Sequence, residues 1–262
     1  MYYLSIVTVV YNDIVGFERT RDSLLPLPNG CEWIIVDGKS SDGTSEKIQQ
    51  LPVINEIKYI SESDKGIFDA MNKSIDLVSG DYILFLNAGD FIDRDALNQI
   101  LSMKNCENDV YVYDYNILDK SLAKVNARSL KSSPECLKRM SCFPHQSTLI
   151  RKVIFDEIGR YDQKYTLSGD YEFFARLYSK NKYKIKMDNS LKLSYFILDG
   201  VSSNLKYGLK QAKQHSDIQK KYFGNYSKIR YIQFSINYCL SYIPGAYNFI
   251  MYLRKIIFKS RL

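Results

Sequence analysis

Residues Asp81 to Phe91 read Asp-Tyr-Ile-Leu-Phe-Leu-Asn-Ala-Gly-Asp-Phe, and this stretch constrains the fold more than any other. Tyr82 to Leu86 is a short uncharged run, apolar on both alternating faces, as in a central strand of a parallel sheet. It runs straight into Asn87-Ala88-Gly89-Asp90, a polar turn at the strand's carboxyl end, where open α/β sheets bind ligands. A lone carboxylate on such a turn is more often a helix cap than a metal ligand. The chain, however, supplies two more polar turns at the same sheet edge.

Tyr3 to Tyr11 is β-branched and apolar and ends at Asn12-Asp13, a turn and cap signal. A helix from about Val15 to Leu25 is stopped by Pro26 and Pro28. Glu32 to Val36 reads as the second strand. It ends in the Gly- and Ser-rich loop Asp37 to Thr44, which turns into a helix over Ser45 to Leu51. Ile57 to Ser61 is a third strand, and Lys65-Gly66 opens a helix over Ile67 to Val78 that delivers the chain to Asp81. This β-α-β-α-β-α-β order predicts right-handed crossovers and a mostly parallel sheet flanked by helices. Beyond Phe91 the pattern loosens. The expected elements are a helix at Asp93 to Met103, a Tyr-rich strand at Val110 to Ile117 and a short capped helix at Ser133 to Met140. A strand at Leu149 to Arg151, a helix ending near Gly159, an amphipathic helix at Tyr171 to Ser179 and a strand around Lys192 to Leu198 follow.

Charge separates the chain in two. The net charge is +7, yet no acid follows Asp217, while eight cations do, from Lys220 to Arg261. Removing those eight from 36 cations leaves 28 against 29 acids, so the folded part is near neutral and the tail alone is basic. A nucleic-acid binder would carry that charge on its domain as well, and no nucleic-acid partner is expected. The five cysteines show no CxxC pair and are odd in number, which predicts buried thiols in a reducing cytosol rather than zinc or disulfides. The N-terminus lacks the basic flank and cleavage site of a signal peptide and reads as a first strand.

Individually the polar residues carry two readings each. Asp37 accepts a hydrogen bond from a ligand or holds its own loop; that loop lacks GxGxxG, so a dinucleotide site is unsupported. Asp90 suits a divalent metal, with Asn87 on a ribose or a bridging water. A nucleotide diphosphate brings its own oxygens to such an ion, so one or two carboxylates suffice. Asp170 is a helix cap or a general base. His145, after Pro144, is a backbone-bonded turn residue or part of a sugar pocket, and His215 reads as solvated on a Lys/Gln-rich helix.

The ordered set of motifs resembles the family 2 glycosyltransferases. It comprises Ser5-Ile-Val-Thr-Val-Val-Tyr-Asn12, Glu32 to Gly38, Ser41-Asp-Gly-Thr44, Ser63 to Asn72, Asp81 to Asp90, Pro144-His-Gln146, Gly169-Asp-Tyr171 and Asp199-Gly-Val-Ser-Ser203. The resemblance covers roughly residues 3–204. It implies a GT-A, Rossmann-like α/β fold and inverting transfer from a nucleotide-sugar with Mn²⁺ or Mg²⁺. By resemblance Thr8, Tyr11 and Asp37 line a nucleobase pocket, Asp64 and Lys65 hold the nucleotide, Asp90 binds the metal and Asp170 is the catalytic base. His145 and Asp114 are weaker candidates for the sugar pocket. The chain departs from the family twice: Asn87 and Gly89 stand where acids of the Asp-x-Asp signature are usual, and Gly169 stands where a Glu precedes the base.

These readings divide the chain into a transferase domain over 1–204, with a nucleotide-binding half at 1–103 and an acceptor-binding half at 104–204, and a basic helical tail over 205–262. Tyr231 to Leu253 is uncharged, but Gln233, Asn237, Asn248 and Pro244-Gly245 argue against a membrane span. Two amphipathic helices lying on the headgroups fit better, with packing against the domain or a homodimer partner as the alternative. The expected enzyme moves glucose or galactose from a UDP-sugar to an undecaprenyl-diphosphate-linked sugar in O-antigen or surface polysaccharide synthesis. It would work in the cytoplasm, on the inner face of the bacterial inner membrane. A sugar nucleotidyltransferase would show a basic Gly-rich loop after the first strand, which is absent; a catalytically degenerate binding protein of the same fold is the remaining competitor.

Overall fold

The computed structural model describes residues 2–103, 106–119, 121–125, 133–197, 205–240, 242 and 245. The uncharged runs of the first half become β1 (Leu4–Val10), β2 (Cys31–Asp37), β3 (Ile57–Ser61) and β4 (Tyr82–Phe85). They are parallel in the order β3-β2-β1-β4. Register places Val10 beside Asp37 and Val7 beside Phe85, so the polar turns after β1, β2 and β4 do share one sheet edge.

Past β4 the sheet is mixed. β8 (Thr148–Arg151) runs antiparallel to β4 and to β6 (Val110–Leu118). β9 (Ile185–Ile197) lies parallel to β6, starts earlier than its sequence suggests, and carries β5 (Phe91–Ile92) antiparallel on its far side. β7 (Lys124–Val125) pairs with β6.

Alternation along the strands feeds two cores. Val7, Val9, Ile34, Val36, Ile83 and Phe85 face α3 (Ile67–Ser74), α5 (Lys152–Ile158) and α6 (Gly169–Ser179). Leu4, Ile6, Trp33, Ile35 and Leu84 face α1 (Ile14–Leu24), α2 (Thr44–Gln49) and α4 (Arg94–Met103). The result is helices on both faces of a sheet, with β1, β2 and β4 buried on both sides.

At the end of the sheet away from the polar turns, the Glu32 carboxylate is fully buried. It accepts from the Ser5 hydroxyl at 2.5 Å, from the Gly80 amide at 3.1 Å, from the Ser79 amide and from Lys58 Nζ at 2.9 Å. Gly80 has no alternative here, because a Cβ would fall 2.7 Å from Ser5 Oγ and 2.9 Å from its backbone nitrogen. Burial would raise the Glu32 carboxyl, but the Ser5 hydroxyl, Lys58 and the Ser79 amide outweigh it and hold it below the usual range.

Two expectations need correction. The helix expected over Ser133 to Met140 is a 3₁₀ turn at Pro134–Lys138, which reverses the chain and brings the Cα atoms of Cys136 and Cys142 to 6.2 Å. They form a disulfide, and of the remaining cysteines only Cys31 is buried while Cys106 and Cys239 are exposed. Six residues of separation without a CxxC spacing concealed this pair.

The tail begins with α7 (Gly208–Phe223), which packs on α6. Gln219 Nε2 donates to Tyr171 Oη at 2.9 Å, and that hydroxyl donates to the Leu137 carbonyl at 2.7 Å. The buried Glu172 carboxylate takes Arg176 at 3.1 Å, Lys221 at 3.4 Å and the Tyr222 hydroxyl. α8 (Lys228–Leu240) then lies across α7. The Phe234 carbonyl would be 2.9 Å from a Cβ at Gly208, which explains glycine there. The described part of the tail therefore packs on its own domain, while Ile229, Ile232 and Ile236 stay exposed. Among the described residues no helix is long and apolar enough to cross a membrane. The Asp199 to Ser203 motif and the apolar Ile250, Leu253 and Ile257 lie outside the described residues.

Candidate active site

One cleft of about 1100 Å³ opens at the carboxyl ends of β1 and β4. It is lined by Tyr11, Asp64, Asn87, Asp90, His145 and Asp170, six residues that the sequence singles out from several separate segments.

The turns are laced together before any ligand arrives. Asn12 N donates to Ser40 Oγ at 2.8 Å, Ser41 N to Asn12 Oδ1 at 2.8 Å, and Ile14 N to Asp42 Oδ2 at 3.0 Å. Asp13 caps α1 through Gly16 N. The fully buried Thr20 hydroxyl holds the Asn87–Asp90 turn: it donates to the Asp90 carbonyl at 2.6 Å and accepts from Gly89 N at 3.2 Å. Gly89 sits at φ +96°, a conformation that disfavours a side chain, so an acid cannot stand there without strain. Glycine at position 89, one part of the first departure from the family signature, fits this backbone.

The second departure has a steric cause. A Cβ at residue 169 would lie 2.8 Å from the ring of buried Phe68, leaving no room for the usual Glu. Ser168, not Asp170, occupies the N-cap position of α6, and Asp170 sits in its first turn.

Asp170 Oδ2 is 3.6 Å from His145 Nδ1, an ion-pair contact longer than an ordinary hydrogen bond. Burial would raise the Asp170 carboxyl, but His145, the Tyr171 amide and His215 hold it below the usual range, so it is ionised at neutral pH. Burial would lower His145, yet Asp170, with Asp90 adding to it, raises it instead. His145 Nε2 is 3.1 Å from Asn87 Nδ2. In the neutral ring that nitrogen accepts from the carboxamide; in the charged ring it donates to the carboxamide oxygen turned toward it. With the amide as placed, Asn87 Oδ1 is buried without a donor.

Asp90 is buried, and burial pushes it up to about 7 against the pull of His145 and the Ile197 amide. A buried carboxylate short of compensating charge and an orphaned carboxamide oxygen on one turn are what a hard divalent cation relieves. Both are oxygen donors of the kind Mg²⁺ and Mn²⁺ take, with diphosphate and water completing the shell. The residues fit such an ion, although among the described residues no group of three or more His, Cys, Asp or Glu side chains is placed to hold one.

Thr8, Asp37, Lys65 and Asp114 do not line the cleft. Thr8 points to the α1 face, where its hydroxyl donates to the Leu86 carbonyl and accepts from Trp33 Nε1, both at 2.9 Å. Asp37 is buried and accepts from the Ser45 and Ser61 hydroxyls and the Ser40 amide, anchoring the loop after β2. Lys65 is exposed beside the cleft between the lining residues Asp64 and Gly66. Asp114 is buried at a register shift between β6 and β9 and accepts from its neighbour's amide at 3.0 Å; Tyr115 faces the cleft instead.

Residues not anticipated also line it. Arg19 brings a cation from α1, and Gln211 and His215 come from α7. His215 is 9% exposed, so its solvated reading is wrong. The buried set Ala212, His215, Ser216 and Gln219 has helical spacing, a signal masked by the surrounding lysines.

The Glycosyl transferase family 2 model matches residues 5–184. The chain belongs to that family. A PGL/p-HBAD biosynthesis glycosyltransferase from Mycobacterium bovis is 27% identical over 179 residues, which cover 66% of this chain and 68% of the relative. Among solved structures, Staphylococcus aureus TarS residues 1–349 in complex with UDP-GlcNAc matches at TM-score 0.63 and 14% identity. That match covers 91% of this chain and 72% of TarS. Mannosyltransferase PcManGT from Pyrobaculum calidifontis, in complex with GDP-Man and Mn²⁺, matches at TM-score 0.66 and 11% identity, over 100% of this chain and 75% of that one. These likenesses establish the GT-A type of fold for this family 2 glycosyltransferase.

Proposed function

We propose that this family 2 enzyme transfers a hexose, glucose or galactose, from a UDP-sugar to a sugar carried on undecaprenyl diphosphate, giving a β-linked product in bacterial O-antigen or surface polysaccharide synthesis. The observation that carries the reading is the cleft itself: an ionised carboxylate at the start of α6 stands in the same cavity as the carboxylate and orphaned carboxamide oxygen after β4. The nucleotide-sugar complexes of TarS and PcManGT support the donor class.

Tyr11, 64% exposed, lies against Gly38 and offers a ring face to the nucleobase, with Asp64 against the same glycine. Lys65 supplies charge from the solvent side, and Asp37 steadies the loop beneath the base. Asp90 and Asn87 Oδ1 would hold Mn²⁺ or Mg²⁺, which when bound supplies positive charge to the leaving diphosphate. Asp170 takes the proton of the acceptor hydroxyl as that oxygen attacks the anomeric carbon, and a single displacement inverts it. His145 fixes the orientation of Asp170 from one ring nitrogen and of Asn87 from the other. The exposed Ile229, Ile232 and Ile236 beside a tail of cations support contact with the inner face of the bacterial inner membrane, where a lipid-linked acceptor resides.

The test is turnover of a panel of UDP- and GDP-sugars with short-chain lipid-diphosphate GlcNAc or GalNAc, with and without Mn²⁺. Metal-dependent transfer from a UDP-hexose is expected. Asp170→Asn should lower turnover by about 10²–10⁴-fold while UDP affinity changes little, and unchanged turnover would refute the role of Asp170. Asn87 and Gly89 in place of acids favour a second reading, a degenerate nucleotide- or glycan-binding protein. Tight UDP binding with no turnover of any donor would select it.

A further inference from the structure

The cleft has a wall that the transferase reading does not use. Gln211 and His215 are one turn apart on α7 and both line the cavity, on the same helix face by their spacing. His215 is nine-tenths buried, yet among the described residues neither of its ring nitrogens has a hydrogen-bond partner. The Gln211 amide likewise has none among the described residues. The imidazole is held from both sides: the Tyr171 ring lies 4.7 Å away and the Phe234 ring of α8 stands edge-on at 5.3 Å. An imidazole packed on two aromatic rings, lining the cavity and bonded to none of the described residues, is free to bond a group that enters the cavity.

The chemistry of that ligand follows from the charges. Burial pushes His215 down to about 4, so at neutral pH the ring is uncharged, a donor at one nitrogen and an acceptor at the other. Gln211 is also neutral and also offers both roles. Lys210 and Lys213 on the same helix are solvent-exposed, and of the two charges whose fields reach His215, Arg230 and Asp170, the ionised Asp170 repels anions and offsets the cation. The wall therefore suits vicinal hydroxyls and not a phosphate. Its position suits the acceptor rather than the donor. His215 lies within the field of Asp170 and packs on Tyr171, the next residue, whereas Tyr11 and Asp64 lie against Gly38 after β2.

We infer that Gln211 and His215 form a subsite for the hydroxyl groups of the acceptor sugar, presenting a neighbouring hydroxyl to Asp170. This rests on the transferase reading for the word acceptor, but glycoside binding at the subsite can be tested apart from it.

The chain has only two histidines, so the full-length protein labelled with ¹³C at histidine Cε1 gives two ring signals, assigned with His215→Phe. UDP is added first, then octyl glycosides of glucose, galactose, GlcNAc and GalNAc in turn. The His215 signal should move with at least one glycoside and not with UDP alone. With the acceptor of the transfer assay, Gln211→Ala and His215→Phe should each raise the acceptor KM about two- to tenfold, the span of one lost neutral hydrogen bond. UDP affinity measured by calorimetry should hold. His215→Phe keeps an aromatic ring between Tyr171 and Phe234, and Gln211→Ala alters a partly exposed side chain, so thermal melts should show both folded. A His215 signal unmoved by every glycoside overturns the subsite, as does an acceptor KM unchanged in both variants. A shift with UDP alone and weakened UDP binding would assign the wall to the donor instead. Absence of turnover in the wild type refutes the transferase reading only, because the ring signals still report glycoside binding.

Discussion

Glu32 is the sharpest test of what holds the sheet together. In Glu32→Gln the carbonyl oxygen can still accept from Ser5, Ser79 and Gly80, but each bond loses its charge assistance. The new amide also points a donor at Lys58. Hydrogen bonds to a charged group contribute about 1.5–3 kcal/mol and neutral ones about 0.5–1.5, so three downgraded bonds amount to about 3 kcal/mol. Relief of the buried charge offsets part of this, leaving about 2–3 kcal/mol. Lys58 adds little, because it also bonds the Leu77 carbonyl and Ser79 Oγ and can turn to solvent. For a chain of this size the melting temperature should fall by roughly 4–12 °C, measured by circular dichroism at pH 7. The folded Glu32 carboxyl titrates below its unfolded value, so its contribution is fully present above the unfolded value of about 4.3 and fades as pH falls through the folded one. The gap between wild type and variant should therefore be constant above about pH 5 and shrink below about pH 4. Turnover per folded molecule should not change, since Glu32 sits five residues, about 16 Å of strand, before the cleft end of β2. A shift under about 2 °C, or a gap that ignores acid, would refute the reasoning.

Thr20→Val keeps the shape of α1 but releases the Asn87–Asp90 turn; turnover should fall about tenfold or more from lost positioning of Asp90, with a stability loss of about 1–2 kcal/mol. Kinetics within twofold of wild type would show that the turn holds itself. Gly169→Ala drives a methyl group into the Phe68 ring and should cost about 1–3 kcal/mol in thermal melts. Adding Phe68→Leu to Gly169→Ala should recover part of that loss, and purely additive losses would place the strain elsewhere.

The first half of the fold was legible because β1, β2 and β4 are buried on both faces and read as mostly apolar runs between Gly, Pro and Asp signals. The second half was less so. β9 mixes polar and apolar residues over thirteen positions, because a register shift and changing neighbours interrupt its alternation. At the site, Tyr11, Asp64, Asn87, Asp90, His145 and Asp170 could be singled out from the ordered set of motifs, and all six line one cleft. Thr8 and Asp37 show the limit: a strand residue's side can be judged from alternation, but whether its polar atom faces a ligand depends on partners such as Trp33 and Ser61 that lie 25 and 24 residues away. Cys136 and Cys142 were hidden by a 3₁₀ turn that leaves no periodicity. His215 was hidden because solvated lysines on the outer face of α7 dominate its local composition.

The clasp of α8 on α7 bears on how such enzymes change their choice of substrate. In sequence the segment after residue 204 looks like an appendage that could be trimmed away. In three dimensions its first helix closes one side of the cavity beside Asp170, and Phe234 of its second props that helix from behind. Substitutions at Gln211 or His215 change the lining of the cavity without touching a strand of the sheet. If Gln211 and His215 hold the acceptor as inferred above, a version cut at residue 204 loses one wall of the cavity and should bind a different set of glycosides rather than the same set more weakly.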